Sequence, residues 1–308
     1  MPTIQVRDGA RLHVRVVGRG EPVVLLHGFG SHSGHWLPYA LPLAHKYRFI
    51  LPDMRGFGRS HRVNLNQSCL LTNYSEDLDD ILDALEVDQV ALGGISMGAY
   101  TSLQYHRLTG FKRVSRYLHI DQSPCALNDA DWSHGLFGPN QGDEFASFKQ
   151  LLADIDAYPR GTPFMALPAA LRTRLIRGMA GFFCYAFHRN SHKFVVNSIA
   201  RLESLMTRML PMENWWAYMD VLRAYLNQDY DMRDSLAEIP VPVTVMVGLH
   251  SRMYPAQGQM LVHERVPQST LVEFKRSGHA PIVDEPLKFL RELRNFLAAT
   301  PEPALAMA

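Results

Sequence analysis

The chain is short of cysteine, of net charge and of long apolar runs, and each shortage narrows what it can be. Its three cysteines, Cys69, Cys125 and Cys184, are scattered through 308 residues. An odd set at no metal-ligand spacing points to neither a disulfide framework nor a zinc site, and is expected in a reducing compartment. Against 31 Lys and Arg stand 30 Asp and Glu, a formal charge of +1; no global field is left to hold nucleic acid or an anionic membrane. No apolar run is long enough to span a bilayer. The opening MPTIQVRDGARLHVRV alternates polar and apolar residues and lacks the order of a secretory leader, so a cytoplasmic protein is expected. Neither an internal repeat nor a low-complexity segment is present. No metal or other cofactor is expected, and the sequence carries no signal for oligomeric state.

What is present is an ordinary globular composition, 47% apolar and 20% charged. A chain of this length makes one large domain or two small ones. Residues 3–7 and 12–17 alternate at the strand period around Asp8-Gly9, which predicts a hairpin. The runs at 23–28, 48–52 and 89–94 are short and mostly apolar, as expected of strands buried on both faces of a parallel sheet. Between 73 and 87, Leu78, Ile81, Leu82 and Leu85 recur at helical spacing. Asn73 or Ser75 is the expected cap, with Glu76, Asp77 and Asp79 near the positive end of the dipole. A further strand is expected over 114–121, ending on Asp121. Alternating strands and helices predict a mostly parallel, doubly wound α/β sheet.

From 122 to 234 the alternation stops and Trp, Phe, Met and Pro become frequent, which reads as a helical insertion. Within 160–210 eight Lys and Arg face one acidic residue, and within 121–156 seven acidic residues face one Lys; solvated helix faces account for most of these charges. Strand and helix alternation resumes at 241–248, with helices near 256–264 and 287–298 and a strand at 270–275. The expected organisation is a core of 1–121 and 235–300, a helical cap over 122–234, and a disordered tail over 301–308.

Serine attacks a carbonyl only when its hydroxyl is exposed, next to a base, and near donors for the oxyanion it creates. Gly94-Ile95-Ser96-Met97-Gly98 lies between an expected strand and an expected helix, where two glycines permit a tight turn that lifts Ser96 above the helix amino end. The strand over 23–27 runs into His27-Gly28-Phe29-Gly30, and the amides of Phe29 and Met97 are the candidate oxyanion donors.

These motifs, together with Pro52-Asp53-Met54-Arg55-Gly56-Phe57-Gly58-Arg59-Ser60 and Gly278-His279, make the chain resemble the α/β-hydrolase superfamily, in its serine-nucleophile, cap-containing branch. The resemblance covers about 1–121 and 235–300 and implies an eight-stranded sheet. It makes His279 the expected base, and Asp53 a structural carboxylate holding Arg55 or nearby amides. In most such relatives the acid of the triad follows the strand equivalent to 241–248. Here that stretch reads Gly248-Leu249-His250-Ser251-Arg252-Met253-Tyr254-Pro255 and holds no carboxylate, with Ser251 where the acid is expected. Asp121, at the end of the preceding strand, is the candidate instead, because adjacent parallel strands lie about 4.8 Å apart and either tip can reach one imidazole.

A serine at 96 excludes the branches of the superfamily that need a carboxylate nucleophile. The implied activity is hydrolysis of a carboxylic ester or thioester with an apolar, medium-sized acyl group through a Ser96-His279-Asp121 triad. Pocket candidates are His27, Gly28, Phe164, Met165, Phe182, Phe183, Trp215, Trp216 and Met219. Two alternatives stay open at this point: a cofactor-free dioxygenase or lyase on the same fold, and a non-catalytic ligand-binding relative.

Overall fold

The computed structural model describes residues 3–66, 69–209, 214–227 and 230–299. The expected tail, 301–308, lies outside the described residues. Along the chain run β1 (Thr3–Gln5), β2 (Arg11–Gly18), β3 (Glu21–Leu26), α1 (Leu37–Ala40), β4 (Tyr47–Pro52), α2 (Leu70–Ala84), β5 (Val90–Ile95), α3 (Met97–Thr109) and β6 (Val114–Ile120). Then come α4 (Gln141–Ile155), α5 (Ala169–Ala186), α6 (Asn190–Ala200), α7 (Glu203–Met209) and α8 (Trp215–Asn227). The chain closes with β7 (Val243–Gly248), α9 (Ala256–Arg265), β8 (Ser269–Phe274), α10 (Pro281–Asp284) and α11 (Pro286–Ala298).

The eight strands form one sheet in the order β1-β2-β4-β3-β5-β6-β7-β8. The amino-terminal hairpin pairs Ile4 with Leu12, and β2 joins β4 antiparallel; every later pairing is parallel. Side chains alternate between faces of a strand, so a continuously apolar strand must be covered twice. Val24, Leu26, Ile50 and Leu92 accordingly enter one buried cluster, while Val23, Leu25, Phe49, Leu51 and Ala91 enter another on the opposite face. The order 4-3-5 places β3 where the winding reverses, the point at which the carboxyl ends of an open parallel sheet leave a crevice.

Helix α2 begins earlier than its capping signals imply. Leu70 and Leu71 are fully buried and extend its apolar stripe backwards, so Cys69 occupies the cap position and Asn73 and Ser75 lie inside the helix. The Ser75 hydroxyl donates to Leu71 O at 2.8 Å instead. Asp77 is likewise drawn away from the dipole: its two oxygens accept from Arg55 Nε and Nη2, each at 2.6 Å, and both residues are buried.

Between β6 and β7 no strand occurs among the described residues; helices α4 to α8 fill the interval. Its ends are clasped by an antiparallel bridge between Cys125 and Asp231 and by Met232 N donating to Pro124 O at 2.8 Å. The helical segment thus leaves and rejoins the sheet at one place.

Candidate active site

Ser96 follows β5 with φ 54° and ψ −123°, in the left-handed region that side chains avoid. The turn is tight enough that its glycines are obligatory. A Cβ on Gly94 would stand 2.4 Å from the Gly98 backbone, and one on Gly98 would stand 2.4 Å from Leu26 O. Helix α3 is therefore pressed against β5 and against β3, and Ser96 is lifted at the rim. Met97 opens α3, and the first amides of a helix have no partner within it.

Strand β3 pairs Leu26 with Gly94, so the turn after it lies beside the serine. A Cβ on Gly28 would touch Ser96 Cβ at 3.3 Å. His27 braces this turn: Met54 N donates to its Nε2 at 3.0 Å, which leaves the ring proton on Nδ1, 2.8 Å from Gly28 O. Burial holds His27 below its ordinary pKa, so the ring is neutral and tautomerically fixed. Phe29 meets Phe57, Phe182 and Tyr218 edge to face at 5.0–5.6 Å between ring centroids. Asp53 holds amides, accepting from Ser33 N at 2.6 Å and Arg59 N at 2.9 Å. Burial pushes its carboxyl up, and the hydrogen bonds from Ser33 and Arg59 outweigh burial and keep it below its usual range. Arg55, the other expected partner, goes to Asp77 and Asp8.

Asp121 leaves β6 with φ 44° and is fully buried. Its Oδ1 lies 2.7 Å from His279 Nδ1 and accepts from Ser251 Oγ at 2.8 Å and Gln259 Nε2 at 3.1 Å, while Oδ2 accepts from Gly248 N at 2.8 Å. A carboxylate at Nδ1 puts the neutral ring's proton on that nitrogen and leaves Nε2 as a base. The pairing of β6 with β7, Ile120 opposite Met246, brings the two strand tips together. Ser251 and Gln259 were not anticipated as partners of the acid. Nothing local distinguishes Gln259 in the sequence; α9 must pack on the sheet before its buried amide meets Asp121.

Ser96 and His279 open into one chamber of about 550 Å³, which His27, Gly28, Phe29 and Phe183 also line. His35 stands in its wall with Nδ1 2.6 Å from Ser31 Oγ, its pKa pushed down to about 4 by burial and the neighbouring His32. A much smaller slot, about 50 Å³, lies beside Ser96 and Phe29 and is walled by Phe182, Tyr218 and Met219. Four pocket candidates line neither of these two cavities. Trp215 and Trp216 lie tilted against each other with ring centroids 4.0 Å apart, and both indoles donate to Thr162 O, at 3.0 and 3.3 Å. Phe164 is buried in the core, and Met165 is 66% exposed. The two indoles tie α8 to the loop before α5, because a buried Trp needs an acceptor, which the Thr162 carbonyl supplies.

Among the described residues no cluster of His, Cys, Asp and Glu could hold a metal ion, and no helix is long and apolar enough to cross a membrane.

The sequence model described as the alpha/beta hydrolase family matches residues 23–293. The chain is 24% identical over 281 residues to a pimeloyl-[acyl-carrier protein] methyl ester esterase of Nitrosomonas europaea, covering 91% of this chain and 97% of that protein. It is 27% identical over 305 residues to a 2-hydroxy-6-oxo-2,4-heptadienoate hydrolase of Pseudomonas putida, covering 94% of each. Among solved structures it is similar to an esterase from Exiguobacterium antarcticum, with TM-score 0.75 and 23% identity over 97% of this chain and all of that one.

Proposed function

The chain belongs to the alpha/beta hydrolase family, and on that premise we propose that it is a serine hydrolase cleaving a carboxylic ester or thioester of an apolar, medium-sized acyl group. Ser96 Oγ attacks the carbonyl carbon as His279 Nε2 takes its proton. The amides of Phe29 and Met97 receive the oxyanion, and the imidazolium returns the proton to the leaving alcohol or thiol. Water, deprotonated by the same imidazole, then releases the acid and restores Ser96. Asp121 keeps the ring oriented and balances the charge it acquires. The helical segment 122–234 acts as a cap over the chamber, and Phe29, Phe182, Phe183 and Met219 present apolar surface to the substrate.

The observation that carries this reading is the 2.7 Å contact between Asp121 and His279 at the chamber that Ser96 enters. The esterase and hydrolase relatives support it. A cytoplasmic setting is part of the proposal and rests on the three cysteines, which form no disulfide.

The test is release of p-nitrophenol from p-nitrophenyl butyrate by the purified protein. Turnover abolished by Ser96→Ala is the expected result. Oxygen uptake on an aromatic N-heterocycle that survives Ser96→Ala, or tight ligand binding with no turnover, would replace the proposal.

A further inference from the structure

Helix α5 carries two glycines three residues apart, Gly178 and Gly181, that the backbone does not need. Glycine in a helix interior is destabilising relative to alanine. The usual reasons for keeping it are a positive φ or a close approach of another chain. Neither residue has a positive φ. A Cβ added to Gly181 would meet nothing within 4 Å, and one on Gly178 would meet only Leu151 Cδ2 at 3.6 Å, an ordinary contact. A side chain at Gly181 would enter open space, and one at Gly178 would rest against Leu151.

That space is a groove of about 380 Å³ between α4 and α5. Its wall is shared with the small slot beside Ser96: Phe148, Leu151, Gly178 and Phe182 line both. A single layer of side chains thus separates the slot from the groove, and at Gly178 that layer has no side chain from α5. At about 50 Å³ the slot holds a few water-sized atoms, well short of the ~150 Å³ cavity that takes a benzene ring. Its walls include Leu136, Leu175, Met179 and Val221, so a chain passing through meets only apolar surface there. Phe137 continues that surface into the groove, and Arg174, Arg177 and Ser147 border it at the exposed face.

We infer that the cleft between α4 and α5 is an outer subsite for the far part of a straight, unbranched acyl chain, which runs from Ser96 along the slot and crosses the shared wall at Gly178, where Leu151 is the side chain that must give way, into a groove left open at Gly181. The inference rests on the acyl-enzyme reading of Ser96 and adds the substrate class: straight-chain acyl esters longer than the slot itself accommodates, with the leaving group in the wide chamber beside His279.

The experiment compares kcat/KM for p-nitrophenyl laurate and p-nitrophenyl butyrate. Gly181→Trp fills the groove, and the laurate-to-butyrate ratio falls at least about tenfold, the effect of denying burial to two or more methylene groups. Ser147→Trp, at an exposed position on the opposite helix, lowers the ratio in the same direction and stands in should Gly181→Trp fail to fold by circular dichroism. Val196→Trp, in the wide chamber, leaves the ratio within about twofold of wild type. A ratio unmoved by both groove variants overturns the inference, as does a fall confined to Val196→Trp, which would put the chain in the wide chamber. Turnover of both esters that survives Ser96→Ala is a different failure, that of the hydrolase proposal.

Discussion

Ser251 donates its hydroxyl hydrogen to Asp121 Oδ1 at 2.8 Å, so the residue standing where most relatives would carry the acid holds the acid that comes from the neighbouring strand. The same oxygen receives His279 Nδ1, which puts positions 121 and 251 on one side of a single imidazole.

The relationship makes the acid movable. Asp121→Asn should lower kcat by about 10³–10⁴-fold with the fold intact, because the ring loses its orienting acceptor and its charge partner. Adding Ser251→Asp to that variant should recover at least tenfold of the loss, about 1.4 kcal/mol of barrier. Steady-state kinetics on p-nitrophenyl butyrate decide it. Asp121→Asn at wild-type rate would remove Asp121 from the mechanism.

His27 ties the turn after β3 to the loop after β4 by accepting from Met54 N. His27→Ala leaves that buried amide without a partner and should lower the unfolding free energy by about 1–3 kcal/mol. The proposed Phe29 donor loses its brace as well, so kcat should fall by more than KM changes. Urea unfolding and kinetics at one pH read the two effects separately; unchanged kcat would mean the turn keeps its shape without His27.

His119 is fully buried on β6, its Nε2 2.7 Å from Gln122 O, and burial pushes its pKa from 6.5 down to about 4. Between those values the unfolded chain binds a proton that the folded one refuses, so stability falls as pH drops through the window. The slope from this one residue should approach about 1.4 kcal/mol per pH unit. His27, lowered by burial too, acts in the same direction. Urea unfolding between pH 7 and 4 should show a shallower decline in His119→Gln than in the wild-type chain. Parallel declines would mean that His119 is charged in the folded state or exposed to solvent.

Where burial alone decides an element, the sequence was sufficient. The central strands β3, β5 and β7 are buried on both faces and appear as mostly apolar runs, while β6 and the edge strand β8 interleave polar residues; the bounds expected for β3 to β8 differ from those observed by only a residue or two. The start of α2 was misplaced because capping side chains are a weaker local force than burying Leu70 and Leu71. The pocket residues were the least legible. Phe182 and Trp216 look alike in a string of aromatic residues, and only the direction each faces on α5 and α8 separates a cavity wall from an indole tied to the Thr162 carbonyl.

By itself, the order of residues determined the alternation of strand and helix, the glycine-flanked bend at Ser96 and the lateness of His279, since each follows from local sterics or from hydrophobic period. The tertiary structure decided that Asp121 is the carboxylate that meets the imidazole and which aromatic residues line the cavities. The first depends on a distance between segments more than a hundred positions apart, set by strand pairing, and the second on how helices pack, and neither is set by neighbouring residues alone.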